Sequence, residues 1–188
     1  MTFSLQNIAT IQTGLYLKSE PFGDTLYIQG KDFDGNGDLI KSTAPTIQGN
    51  AKLQKHLLKD GDLLVVAKGN RNTAYVFSAE AGQALASSTF LVVRLSEKEK
   101  SKILPAYLAW FISHPQSQLF LGSHSKGSGI SSLSIGSLGK LEIVIPPLQK
   151  QELILKIHAL GKLEQSILHQ LTELKQQYNH QLLFNSIK

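Results

Sequence analysis

The rhythm of hydrophobic and polar positions changes once along this 188-residue chain, at Ile143-Val144-Ile145-Pro146-Pro147. Before that point, short apolar runs are separated by turn residues. After it come about forty residues with a helical pattern, no proline and one glycine. Read from Leu153, positions 153, 157, 160, 164, 167, 171, 174 and 178 alternate steps of four and three, and seven of the eight are apolar. That is the narrow a/d seam of a coiled coil, not the wider stripe of a surface helix. A helix over 148–188 would be roughly 60 Å long, too long for a domain of residues 1–147 to cover with its own core. The pattern predicts a dimerisation or spacer helix whose Leu153, Ile157, Leu160, Ile167, Leu171, Leu174 and Tyr178 meet a partner helix. Glu164 interrupts the seam, where it either fixes register or rotates aside for Leu163.

Within residues 1–147 the signals are shorter. Residues 3–11 read as an entry segment and Thr25–Gln29 as a short strand. Asp32–Asp38 is turn chemistry, with 39–47 a possible returning strand. Lys59-Asp60-Gly61-Asp62 is a turn before the continuous apolar run 63–67, a buried strand. Gly69-Asn70-Arg71-Asn72 is a second tight turn feeding 73–78, which makes a hairpin with a polar, basic tip. Residues 88–95 predict a further strand. Pro105 suits a first helical turn, with 106–112 following; Ser113-His114-Pro115 breaks the pattern before 116–121 resumes it. Nine of the thirteen residues in 122–134 are Gly or Ser, and 141–145 is a last strand. Mixed elements without a βαβ rhythm predict an α+β domain with a mostly antiparallel sheet and short helices.

Composition narrows the chemistry. Cysteine is absent, which removes disulfides, thiolate metal sites and thiol nucleophiles. No signal peptide or membrane-spanning run is visible, so a soluble, cytoplasmic protein is the expectation. The net charge of +5 comes from 19 Lys and Arg against 14 acids. The excess lies mainly before residue 141, a mild lean toward a polyanion partner.

No catalytic constellation emerges. Asp32–Asp38 resembles the front of a calcium loop, but Thr43 stands where a bidentate Glu belongs, and a polar turn is the better reading. The loop at 122–129 has a lysine before its second glycine, against the order of a phosphate loop, although its backbone N–H groups suit a DNA phosphate. His158, His169 and His180 lie about 16 Å apart along one helix face, too far to share a metal. No Ser occupies a Gly-x-Ser-x-Gly elbow. The segment singled out for recognition is Lys68-Gly69-Asn70-Arg71-Asn72. Arg pairs with guanine O6 and N7, Asn with adenine N6 and N7, and Lys neutralises phosphate. A solvated turn is the plain alternative for these residues.

Together the segments resemble the specificity subunit of type I restriction–modification systems. The likeness rests on Gly127-Ser128-Gly129-Ile130-Ser131-Ser132-Leu133, then Leu138, then Leu141 through Leu148 with Pro146-Pro147, then Gln151. Gly61-Asp62-Leu63-Leu64-Val65 with Lys68-Gly69, Tyr27-Ile28 with 35–39, and 107–111 also fit. The family's usual subunit has two target-recognition domains and two antiparallel helices. This chain has one of each, so it looks like a half-size form. The resemblance implies a target-recognition domain over 1–147, with Lys31, Lys68, Asn70, Arg71, Asn72, His124, Lys126 and Ser128 as candidate DNA contacts. It also implies a homodimer reading two inverted half-sites, with no cofactor or catalysis on this chain. A methyltransferase using S-adenosylmethionine and an ATP-driven endonuclease would be its partners. The alternative is an assembly module that dimerises through its helix without reading DNA.

Overall fold

The computed structural model describes residues 2–20, 22–33, 39–40, 44–69, 71–124 and 132–187. The chain divides into two compact units, Met1–Leu148 and Gln149–Lys188. The first contains β1 (Thr2–Ser4), α1 (Leu5–Ile8), β2 (Ala9–Thr13), β3 (Leu26–Ile28), β4 (Leu63–Val66), β5 (Ala74–Val76), β6 (Ala84–Ala86) and β7 (Phe90–Leu95). It continues with α2 (Glu97–Lys100), α3 (Pro105–Ser113), α4 (Pro115–Ser123), α5 (Ile135–Gly139) and β8 (Glu142–Val144).

The centre is an antiparallel sheet in the order β2-β7-β4-β5. One face, including Leu64, Phe90 and Val92, packs on Leu26 and Ile28 of β3 and Ala84 and Ala86 of β6. The side chains pointing the other way, Leu63, Val65, Leu91 and Val93, are also buried. Cover on both faces explains why these strands read as continuous apolar runs and not as alternation. β3 and β6 pair in parallel, and β1 pairs antiparallel with β8. The Tyr107 hydroxyl on α3 donates to the Val144 carbonyl at 2.7 Å, and burial pushes its pKa up.

An ion pair locks the base of β4 to β7. Arg94 donates from Nε to Asp62 Oδ1 at 2.7 Å and from Nη2 to Asp62 Oδ2 at 2.5 Å and the Leu57 carbonyl at 3.0 Å. Asp62 is fully buried and also accepts the Lys59 N–H at 2.8 Å. The bonds to Asp62 hold the Arg94 guanidinium above its ordinary pKa.

Two local expectations change. Among the described residues, 39–47 forms no strand. It touches the fold through single bridges, Phe33 with Leu39 and Thr25 with Ile47. The partner of β3 is instead Ala84-Leu85-Ala86, all three buried. The connection from β4 to β5 is not a tight turn either. The ladder ends with Val66 N–H donating to Thr73 O at 2.9 Å, which leaves residues 67–72 as the loop.

The second unit is a single helix, α6 (Leu148–Ser186). The side chains of Leu153, Ile157, Leu160, Ile167, Leu171, Leu174 and Tyr178 are 45–65% exposed along it. His169 lies 3.4 Å from Glu173, one turn on. Among the described residues, no helix is long and apolar enough to cross a membrane.

Candidate nucleic-acid interface

Antiparallel pairing brings four chain ends to one edge of the central sheet. Thr13 at the end of β2 lies opposite Leu91, Val66 at the end of β4 lies opposite Phe90, and Ala74 begins β5 beside Val65. The short turn Ser87–Thr89, leading into β7, is the hub of this edge. The Ser87 and Thr89 hydroxyls are 2.6 Å apart. Ser87 N–H donates to Ile28 O at 2.9 Å, and Ala67 N–H donates to Thr89 O at 2.8 Å. Leu15 bridges to Ser87, and Gly14 N–H donates to Phe90 O at 3.0 Å. Loops far apart in sequence therefore leave the sheet side by side.

Lys31, Lys68 and Arg71 are exposed on these loops. Lys31 lies in the 3₁₀ turn Gly30–Asp32, which Asp32 caps by accepting the Gln29 N–H at 2.8 Å. The next residue, Phe33, stacks on Tyr75 of β5 with centroids 4.0 Å apart, and both lie near Phe90. That aromatic cluster fastens the Lys31 turn to the hairpin. Lys68 forms an antiparallel bridge with Ser132, and Leu133 N–H donates to Ala67 O at 2.8 Å. Gly69, between Lys68 and the rest of the tip, has φ +141°, a conformation that L side chains rarely adopt.

Asn72 does not sit on the outer surface as Arg71 does. It is only 7% exposed, and its amide donates to Val66 O at 2.8 Å. Its main chain exchanges two bonds with Gln118 of α4: Asn72 N–H to Oε1 at 2.8 Å, and Nε2 to Asn72 O at 3.1 Å. Asn72 thus clamps the tip from beneath, with its base-pairing amide already engaged. The same bonds tie α4 to the hairpin. His124, at the end of α4, is exposed and stacks on Phe120 at 4.2 Å, with Nδ1 2.9 Å from Phe120 O. Its carbonyl accepts the Ser137 hydroxyl at 2.9 Å. Asn70, Lys126 and Ser128 lie outside the described residues, as do 34–38, the heart of the calcium-like turn.

The edge thus gathers point charges and one planar guanidinium, groups that contact phosphates and base edges. Among the described residues, no three His, Asp or Glu side chains gather as a possible metal site. The feature that sequence reasoning missed is the hub itself, because Ser87 and Thr89 carry no charge and lie in what reads as an ordinary strand entry.

The family model described as "Type I restriction modification DNA specificity domain" matches residues 1–177. The fold is similar to the type I restriction–modification S subunit from M. genitalium, with a TM-score of 0.58 and 13% identity over 85% of this chain and 38% of that one. It is likewise similar to the HsdS subunit from Thermoanaerobacter tengcongensis, with a TM-score of 0.57 and 16% identity over 88% of this chain and 37% of that one. A third structure, from work on complex assembly and conformational transition of the type I R-M system, gives 0.58 and 16% over 88% and 38%. The chain therefore spans about two fifths of the length of the structures it matches. A comparison with curated proteins finds no match. On a family match that runs from the first strand into the long helix, this chain belongs to the type I restriction modification DNA specificity domain family.

Proposed function

We propose that the chain reads DNA sequence as a half-size specificity subunit. Two copies would pair through α6, place two identical domains on inverted half-sites, and direct a methyltransferase and an endonuclease that carry the chemistry. The observation that carries this reading is the convergence of Lys31, Lys68 and Arg71 on one edge of the sheet, in a member of this family. Arg71 is the candidate for base readout, Lys68 and Lys31 for phosphates, and His124 for a neighbouring backbone contact.

The support for pairing comes from α6. A helix with its leucines and isoleucines half exposed has little reason to be stable alone in water, and burial of that seam against a second copy supplies the missing free energy. The 39 residues of α6 extend about 58 Å. That exceeds one helical turn of DNA, about 34 Å, so a helix pair can set the gap between two half-sites. Selection from randomised duplexes, with the methyltransferase subunit present, tests the reading. Enrichment of a bipartite inverted repeat supports it. No sequence preference, together with an intact dimer, would favour an assembly module.

A further inference from the structure

We infer that Tyr16 is a DNA-contacting residue of this domain, its ring packing on the duplex beside the base pairs addressed by the 67–72 loop. The inference rests on the DNA-reading function proposed above. Tyr16 is 90% exposed, among the most exposed large side chains of the described residues. Its position is nevertheless built. Leu15 and Leu17 on either side turn inward and pack on Tyr27, Ile47 and Leu85. The buried Tyr27 hydroxyl straddles Tyr16: it donates to Leu15 O at 2.8 Å and accepts the Leu17 N–H at 3.1 Å. Leu15 N–H donates to Ala86 O at 2.8 Å. A Cβ at Gly14 would collide with the Ser87 carbonyl, so this close approach needs glycine. The backbone is thus pinned on both sides of a ring that touches almost nothing.

The surroundings indicate what would cover that ring. Leu15 bridges directly to Ser87 in the hub that also anchors Ala67, which puts Tyr16 on the edge that carries Lys68 and Arg71. Lys18 follows two residues later, and Ser19 shares a cleft of about 350 Å³ with Lys31. Among the described residues, the acids close in sequence to Tyr16 and Lys31 are Glu20, Asp24 and Asp32. Two of these are occupied: Asp24 accepts from the Thr25 hydroxyl and the Gly49 N–H, which hold its pKa below the usual value, and Asp32 caps Gln29. The edge presents an aromatic on a pinned backbone together with the exposed cations Lys18, Lys31, Lys68 and Arg71. Duplex DNA has the matching pattern, with phosphates flanking sugar and base surfaces on which an aromatic ring can pack.

The test uses the full-length protein and a labelled copy of the duplex enriched by selection. Because the Tyr16 side chain is exposed, Tyr16→Ala should leave thermal unfolding unchanged. Its affinity for that duplex should fall about tenfold, in line with aromatic–base contacts. The slope of log affinity against log salt should not change, because no phosphate contact is lost. Tyr16→Phe should bind nearly as the unaltered protein does; an equal loss there would assign the contact to the hydroxyl and overturn ring packing. Tyr27→Phe, which releases the loop but keeps the Tyr16 ring, should weaken binding by a smaller factor. Wild-type affinity in Tyr16→Ala overturns the inference. So does a variant that keeps its DNA affinity but loses the methyltransferase subunit, which would make Tyr16 a protein contact. If the unaltered protein selects no duplex, the underlying reading fails as well.

Discussion

At the tip between β4 and β5, neighbouring residues do opposite work. Arg71 is exposed, and Asn72 is buried with its amide bonded to Val66. Arg71→Ala should cost about 1–3 kcal/mol of binding and relax discrimination at particular base pairs. Lys68→Ala should weaken binding evenly across sequences and reduce the salt slope by about one. Parallel selections at two salt concentrations separate these outcomes; unchanged sequence preference in Arg71→Ala would contradict base readout. Asn72→Ala should instead lower stability, by about 1–2 kcal/mol, because it strands the Val66 carbonyl. Denaturant titration reads that loss without any DNA present. The sequence shows Lys68-Gly69-Asn70-Arg71-Asn72 as one polar run and gives no sign of this division. The reason is physical: Asn72 is buried by Gln118, forty-six residues further on, and such a partner leaves no local pattern.

Among the elements, legibility follows how each one is stabilised. β4 and β7 were readable because their continuous apolar runs report burial directly, and α6 because its apolar positions keep a helical spacing over its whole length. So was α3, where proline at its first turn marks the start. β6 was not, since Ala84-Leu85-Ala86 lacks β-branched and aromatic residues and is a strand only because β3 lies beside it. Residues 39–47 carry strand-like composition, but β3 pairs with β6, and the described part of that segment meets the fold through single bridges. The base of β4 shows the energetic side of this dependence. Asp62→Ala leaves the partly buried Arg94 guanidinium unpaired and should destabilise the domain by about 3 kcal/mol, seen as a lower unfolding midpoint. An unchanged midpoint would mean that solvent compensates Arg94. On α6, in the proposed pairing, each seam residue would contribute about 1 kcal/mol on burial from its half-exposed state. Lysine at Ile167 and Leu171 together should therefore shift sedimentation at micromolar concentration from dimer to monomer. A monomeric unaltered protein would contradict the seam.

For the whole molecule, the proposed function would have the loops at one edge of the sheet supply the reading surface and α6 the means to double it. Of the candidate contacts drawn from the sequence, Lys31, Lys68 and Arg71 come together on that edge, with His124 on the helix tied to it through Gln118. The candidate residues were visible as residue types, but their grouping was not, because it depends on strand order and on the Ser87–Thr89 hub. A single domain of this size addresses only a few base pairs, and a two-fold pair doubles that number while adding a fixed spacing. The most direct test is to sequence the duplexes that the full-length protein, with its methyltransferase subunit, retains from a randomised pool. The expected product is one short motif and its inverted copy, identical in sequence and separated by a constant unspecified gap. Retained duplexes with a single isolated motif, two different motifs, or a gap of variable length would contradict the account.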